Sequence, residues 1–452
     1  MPKRRKKQNT KIRDIEQLVK AASTRRYPAY PRYKPSGVEW LGDVPQHWVV
    51  KRLKRITTIT YGESHSNEDC KEGNSPVYGS NGIVGYNDTS NSQGNTIIIG
   101  RKGSFGKVKY SNVSCFAIDT TYYIDKRNTN SNLRWLYYLL YSLRLDSYSQ
   151  DSAVPGLSRE DAYSELVVHP SKKEQKAIAK FLDNQTRKID DLIEAKRELL
   201  EILKEKRQAL ITRCVTKGLP AGAEEKAGLS PEDARKAGLS PNRKFKPSGI
   251  DWIGVIPEHW EVKRLKYLTY LINEKKEVCE ENKYPYLGLE NVESWKGNIV
   301  NLNNNFGPTG ISNVFKSKDI LFGKLRPYLA KACAVNFDGI CSSELMVLRT
   351  RNMNRHFLLY TLLSDFFIKI VNSSTYGAKM PRANWEFIGN MKILVPPQKE
   401  QKAIANYLDK QTQKIDDISK EVNEAIKRLS EYRTALISAA VTGKIDVRQE
   451  VS

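Results

Sequence analysis

Residues 33–57 read YKPSGVEWLGDVPQHWVVKRLKRIT, and residues 245–269 read FKPSGIDWIGVIPEHWEVKRLKYLT. The two stretches lie 212 residues apart and agree at 15 of 25 positions, among them Trp40/Trp252, Pro45/Pro257 and Trp48/Trp260. A second pair follows in each half. PSKKEQKAIAKFLDNQTRKIDD (170–191) and PPQKEQKAIANYLDKQTQKIDD (396–417) agree at 16 of 22 positions, at an offset of 226. Two matches in the same order make the chain a duplication. Weaker echoes lie between them. Pro76-Val77-Tyr78-Gly79 aligns with Pro285-Tyr286-Leu287-Gly288, and Ile98-Ile99-Gly100-Arg101 with Leu321-Phe322-Gly323-Lys324. With the glycines paired, the second half carries 14 more residues between them, which equals the growth in offset. The halves share a frame and differ in its middle.

Local patterns give the elements. Short β-type runs at Asn95–Gly100, Lys107–Tyr110, Asp119–Ile124, Asp319–Gly323 and Glu344–Arg349 sit among Gly, Asn and Ser turns. Apolar helices are predicted at 132–143 and 354–371. The long stretches 172–213 and 398–439 lack Gly and Pro. In the second, Leu408, Ile415, Val422, Leu429 and Leu436 recur every seven residues. Ile404, Ile418, Ala425, Tyr432 and Ala439 are expected to fill the other seam position of a coiled coil, with Gln411 the polar exception. The first copy follows less strictly, with Leu182, Ile189, Leu203 and Leu210, then Ile178, Leu192 and Leu199, interrupted by Lys196 and Lys206. About 42 helical residues would span roughly 63 Å. The expected fold is α+β: two similar domains separated by two long antiparallel coiled-coil helices, with pseudo-two-fold symmetry.

The divisions follow. Residues 1–32 form a basic N-terminal tail, 33–169 a first domain and 170–216 a first helical region. Residues 217–244 are a linker containing KAGLSP twice. Residues 245–395 form a second domain, 396–442 a second helical region and 443–452 a C-terminal tail.

Composition narrows the function. The chain has 452 residues, 74 Lys+Arg and 51 Asp+Glu, a net charge of +23. That surplus makes a polyanion, nucleic acid first, the leading partner. No apolar run reaches the roughly 18–20 residues of a membrane span. The N-terminus has 7 basic residues in its first 13, without the apolar region of a secretory signal. Six scattered cysteines form no CxxC pair, and five histidines form no cluster. These features argue against a zinc site and a disulfide framework, and fit a reducing cytoplasm. Neither the phosphate-binding G-x-x-x-x-G-K-[ST] pattern nor an amino-methyltransferase tetrapeptide is present.

Basic residues with glycine and aromatic neighbours occur in both middle regions. IIIGRKGSFGKVKY carries Arg101, Lys102, Lys107 and Lys109, and ILFGKLRPYLAKAC carries Lys324, Arg326 and Lys331. Glycine permits close backbone approach to phosphate, while Lys and Arg supply charge and forked donors for guanine. Asn81, Ser104, Arg159 and Arg382 are further polar candidates on loops. His47 and His259 read as framework.

PPQKEQKAIANYLDKQTQKIDD, LISAAVTGKIDVR and the duplicated PSG-x-[ED]-W-[LI]-G…P-x-HW opening resemble the specificity (S) subunit of type I restriction–modification enzymes, over nearly the whole chain. The resemblance implies a non-catalytic DNA-recognition subunit whose two variable domains each read half of a bipartite double-stranded site. The helices would set the unread spacer and dock two modification (M) subunits. Restriction (R) subunits would complete the complex. No cofactor is expected in this chain; S-adenosylmethionine, ATP and Mg are expected on the partner subunits. The tail and the KAGLSP linker depart from the family pattern. Two other functions remain open from the residues alone: a coiled-coil nucleic-acid-binding scaffold outside restriction–modification, and a self-sufficient nuclease.

Overall fold

The computed structural model describes residues 27–64, 73–147, 156–223, 227–228, 230, 232, 244–278, 284–302, 310–375 and 379–450. Most of the basic tail and most of the KAGLSP linker lie outside these. The chain forms two units. One comprises residues 1–197 and 423–452, and the other residues 198–422.

The first unit opens with β1 (Tyr33–Pro35), β2 (Asp43–Pro45) and β3 (Val49–Arg52). There follow β4 (Thr60–Tyr61), β5 (Ser75–Gly79), β6 (Gly82–Asn87), β7 (Thr96–Gly100), β8 (Val108–Ser111), β9 (Phe116–Ala117) and β10 (Thr121–Ile124). Helix α1 (Leu133–Ser142), α2 (Arg159–Ser164), β11 (Leu166–His169) and the long α3 (Lys172–Lys217) complete the first half of the sequence. The main sheet has the order β4-β10-β7-β8, and a smaller one the order β6-β5-β9. Strand β7 shows why both layers form. Its β-branched run alternates: Ile97 and Ile99 enter the core with α1, while Ile98 packs with Tyr78 of the smaller sheet and with Cys115, just before β9.

The second unit repeats the plan. Strands β12 (Phe245–Pro247), β13 (Val255–Pro257), β14 (Glu261–Arg264) and β15 (Thr269–Ile272) open it. Next come β16 (Lys275–Val278), β17 (Tyr286–Leu287), β18 (Gly310–Phe315), β19 (Ile320–Gly323), β20 (Ala332–Ala334), β21 (Gly339–Cys341) and β22 (Leu345–Thr350). The apolar stretch expected as one helix is two, α4 (Arg355–Leu362) and α5 (Asp365–Ser373), with Ser364 extended between them. Helix α6 (Trp385–Asn390), β23 (Lys392–Val395) and the long α7 (Gln398–Val441) follow. The main sheet, β15-β22-β19-β20, matches that of the first unit strand for strand. The parallel pair β5–β9 recurs as β17–β21, so the glycine alignment read from the sequence holds in three dimensions. The difference lies beside that pair. In the first unit β6 folds back on β5 as a hairpin, whereas in the second β18 and β16 extend the sheet from β21.

The two repeated motifs touch each other, which accounts for their duplication as a set. His47 Nε2 lies 2.7 Å from Glu174 Oε1, and Trp48 donates to the same oxygen at 3.1 Å. Ser171 donates to the other oxygen at 2.8 Å. Gln175 accepts from the amide of Asn132, the residue that caps α1. In the second unit His259 and Trp260 meet Glu400 at 2.8 and 2.9 Å, and Gln401 accepts from Asn354. The Glu-Gln of each KEQ sequence thus fastens the first turn of a long helix to both the opening strands and the apolar helix. Trp48 and Trp260 are fully buried, whereas Trp252 is exposed.

Each long helix ends on the opening strands of a unit. Lys444 donates to the carbonyls of Leu41 and Asp43 in the first unit, and Lys217 to those of Ile253 and Val255 in the second. In the first unit Asp190 of α3 pairs with Arg433 of α7. In the second, Arg207 of α3 pairs with Asp416 of α7. The partner number falls as the α3 number rises, so the helices are antiparallel.

The seam differs from the expected heptads at one position. Leu182, Ile189 and Leu203 are buried on α3, and Leu408, Ile415, Val422 and Leu436 on α7. Leu192, Leu199 and Ile418 are exposed. Ile178, Ile404 and Ala439 are buried as expected, and Ala425 and Tyr432 are half-buried beside Ile426 and Arg433. Elsewhere the second seam position lies one residue further on, at Thr186, Ile193 and Arg207, and at Thr412. Most of these shifted residues are polar, so a search for apolar periodicity selects Leu192, Leu199 and Ile418 in their stead. Two of the shifted residues find partners across the packing: Tyr138 meets Asp183 and Thr186, and Tyr360 meets Asp409 and Thr412.

Candidate nucleic-acid interface

In the first unit the β7–β8 turn carries the basic run. Gly100 closes it, since its amide donates to Lys107 O at 2.9 Å and its carbonyl accepts from Gly106 at 2.8 Å. A Cβ on Gly100 would lie 2.3 Å from Ser104 O, so only glycine permits this tight return. Gly103 and Gly106 have φ of 68° and 72°.

Arg101 is fixed at both backbone and side chain. Its amide donates to Thr120 O and its carbonyl accepts from Leu157. Its guanidinium donates to Asp119 O at 3.1 Å and lies 5.0 Å from the ring centre of Tyr61. Arg159, on α2, lies 4.9 Å from the same ring. Two guanidinium groups therefore share one tyrosine, itself 42% exposed. The hairpin tip of β5–β6 meets the other end of the turn, where Ser104 Oγ and Lys107 Nζ lie 3.4 and 3.5 Å from Asn81 Oδ1. The structure thus gathers Arg101 with Arg159, and Asn81 with Ser104 and Lys107. Lys102, bridged through its backbone to Gly156, and Lys109, on β8, are exposed beside them. Tyr61 carried no signal in the sequence beyond an aromatic beside a glycine.

The second unit uses the same backbone frame. Lys324 follows Gly323 as Arg101 follows Gly100; its amide donates to Glu344 O and its carbonyl accepts from Ala383. The bridge Lys102↔Gly156 recurs as Leu325↔Arg382. Arg326 is exposed with φ of 50°, its amide bonded to Pro381 O. Arg382 forms a forked ion pair with Glu344, at 3.0 to 3.2 Å. That carboxylate raises the Arg382 pKa and was not singled out in the sequence. Lys331 stands apart from the others. Its ammonium donates to the carbonyls of Leu289 at 2.6 Å and Val292 at 2.9 Å, holding the turn after β17. The frame is thus common, while the side chains mounted on it differ.

Among the described residues no group of three His, Cys, Asp or Glu is placed to hold a metal ion, and no helix is long and apolar enough to cross a membrane. The type I restriction modification DNA specificity domain model matches residues 45–202 and again 257–428. The chain belongs to that family. It is 22% identical over 411 residues to the EcoDI specificity subunit of Escherichia coli, covering 89% of this chain and 90% of that protein. It is 26% identical over 333 residues to the MjaVIII specificity subunit of Methanocaldococcus jannaschii, covering 69% and 70%. A chain from a solved structure on complex assembly and conformational transition of the type I R-M system shares its fold. The TM-score is 0.56 at 15% identity, over 88% of this chain and 98% of that one. As a specificity subunit the chain serves DNA sequence recognition and is the non-catalytic component of its system.

Proposed function

We propose that each unit reads one half of a bipartite double-stranded DNA site. In the first unit the contacts come from Asn81, Arg101, Lys102, Ser104, Lys107, Lys109 and Arg159. In the second they come from Lys324, Arg326 and Arg382, with Lys331 setting the turn that supports them. Two modification subunits dock on the long helices and restriction subunits join them, in the cytoplasm. S-adenosylmethionine belongs to the modification subunits, and ATP with Mg to the restriction subunits. The domain limits given from the sequence are the exchangeable parts, and the long helices set the spacer.

One observation carries this reading: two units mount different side chains on one backbone frame, at Arg101/Lys324 and Gly156/Arg382. A common frame with variable fittings suits two modules that read unlike sequences on chemically uniform DNA. The test exchanges residues 58–165 for those of a relative and maps methylated adenines in DNA treated with the subunit and its modification partner. One half-site should change and the other persist. A simultaneous change in both would refute independent reading.

A further inference from the structure

Arg382 and Glu344 form an ion pair between two loops 38 residues apart in sequence, each anchored by its backbone. The amide of Lys324 donates to Glu344 O, that of Ala383 to Lys324 O and that of Arg326 to Pro381 O. The Leu325↔Arg382 bridge closes the set. A lone exposed pair adds little to stability. What this pair provides is orientation.

The guanidinium is used along one edge only. Nε donates to both oxygens of Glu344, at 3.2 and 3.1 Å, and NH2 donates to one at 3.0 Å. The terminal edge, made of NH1 and the second NH2 hydrogen, has no partner among the described residues. The side chain is 48% exposed, so this edge is available to a ligand. It presents two parallel N–H donors in a fixed fork. Only guanine offers two adjacent acceptors, O6 and N7, in the major groove; adenine sets a donor amino group in that place. A phosphate would also accept a fork, but Glu344 already neutralises Arg382 and repels a second anion. Lys324 and Arg326, on the same frame, are the cations suited to phosphate.

We propose that Arg382 reads one guanine in the half-site of the second unit, with Glu344 as its positioning residue. The first unit has Gly156 at the matching bridge and carries no such reader there. This inference rests on the DNA-reading function proposed above.

The test is selection from a randomised double-stranded DNA library by the full chain co-purified with its modification subunits, followed by sequencing and salt titration. The wild type should select a guanine at one position that Arg382→Lys relaxes about 10- to 100-fold, since lysine keeps the charge and loses the fork. All other positions, including the whole half-site read by the first unit, should persist, which also reports that the variant is folded. Glu344→Gln should relax the same position and no other. Unchanged preference in Arg382→Lys would overturn the proposal. So would an Arg382→Ala variant that weakens all sequences alike and lowers the salt slope by about one, the mark of a phosphate contact. Failure of the wild type to select any bipartite sequence would instead refute the DNA-reading function itself.

Discussion

Replacing Arg207 by methionine should destabilise the second unit far more than replacing Arg433 destabilises the first. The two arginines occupy matching places, each on one long helix and paired with an aspartate on the other. Their surroundings differ. The Arg207 side chain is 6% exposed and donates to Asp416 at 3.0 Å and to the carbonyls of Thr412 and Lys296, each at 3.2 Å. Methionine would fill much of the volume but leave a mostly buried carboxylate and two carbonyls without a donor. Breaking a buried pair from one side costs about 3–5 kcal/mol. Arg433 donates twice to Asp190, which is 52% exposed and retains water when the arginine is lost. An exposed pair contributes about 0.2–1 kcal/mol, and the contact of Arg433 with the Tyr141 ring about 0.5–1 more. The expected gap is therefore roughly 2–3 kcal/mol. Two units need not unfold as one, so hydrogen exchange followed by mass spectrometry is the suitable assay, with peptides from each unit read separately. Replacing Asp416 by leucine as well should restore much of the loss, because the stranded charge leaves with it. Equal losses at the two arginines, or no rescue in the double variant, would refute the assignment of the cost to burial.

Glu174→Gln should flatten the acid limb of stability. Burial pushes the Glu174 carboxyl up, but hydrogen bonds from His47, Trp48 and Ser171 outweigh it and leave the group below its ordinary value of 4.5. That contribution is present above the unfolded value and is lost as pH falls through the folded one, so the Tm gap between wild type and variant should begin to close only as pH falls past 4.5 and vanish below the folded value; parallel Tm–pH curves would refute it. Gly100→Ala should cost about 1–3 kcal/mol and at least about tenfold in DNA affinity, because the turn must open around Ser104 O; calorimetry and fluorescence anisotropy would show an unaltered protein if the turn were tolerant. Lys107→Ala should weaken binding to every DNA sequence alike and lower the salt slope by about one, whereas Arg101→Ala, which removes a group anchored on Tyr61, should change preference at one half-site; a salt titration that moves neither would remove this turn from the interface.

The duplication, the long helices and the strands around Gly100 and Gly323 were legible because each depends on residues close in sequence. The apolar run Ile97-Ile98-Ile99 specifies a buried strand wherever it sits. The helix seam was legible only in part. Thr186, Arg207, Thr412 and Arg433 take seam positions because their partners, Tyr138, Asp416, Tyr360 and Asp190, stand across the packing, and no local pattern announces a partner. The same holds at the basic loops. Lys331 and Arg382 are alike as cations in a basic stretch. The fold gives one of them two backbone carbonyls and the other a carboxylate that leaves half its fork open. Tyr61 acquires its place only when residues 101 and 159 arrive beside it.

The split composition of the first unit sets an order on the nascent chain. Residues 198–422, all of the second unit, leave the ribosome before the last piece of the first. That last piece is not trim: Leu436, Ile437, Ala440, Val441, Ile445 and Val447 are buried in one core with Leu41, Trp48 and Leu182. The domain begun first is therefore finished last, and its opening strands wait through nearly four hundred residues of synthesis with an apolar face uncovered. A chain cut after residue 422 would keep every residue of the second unit and lack the closing wedge of the first.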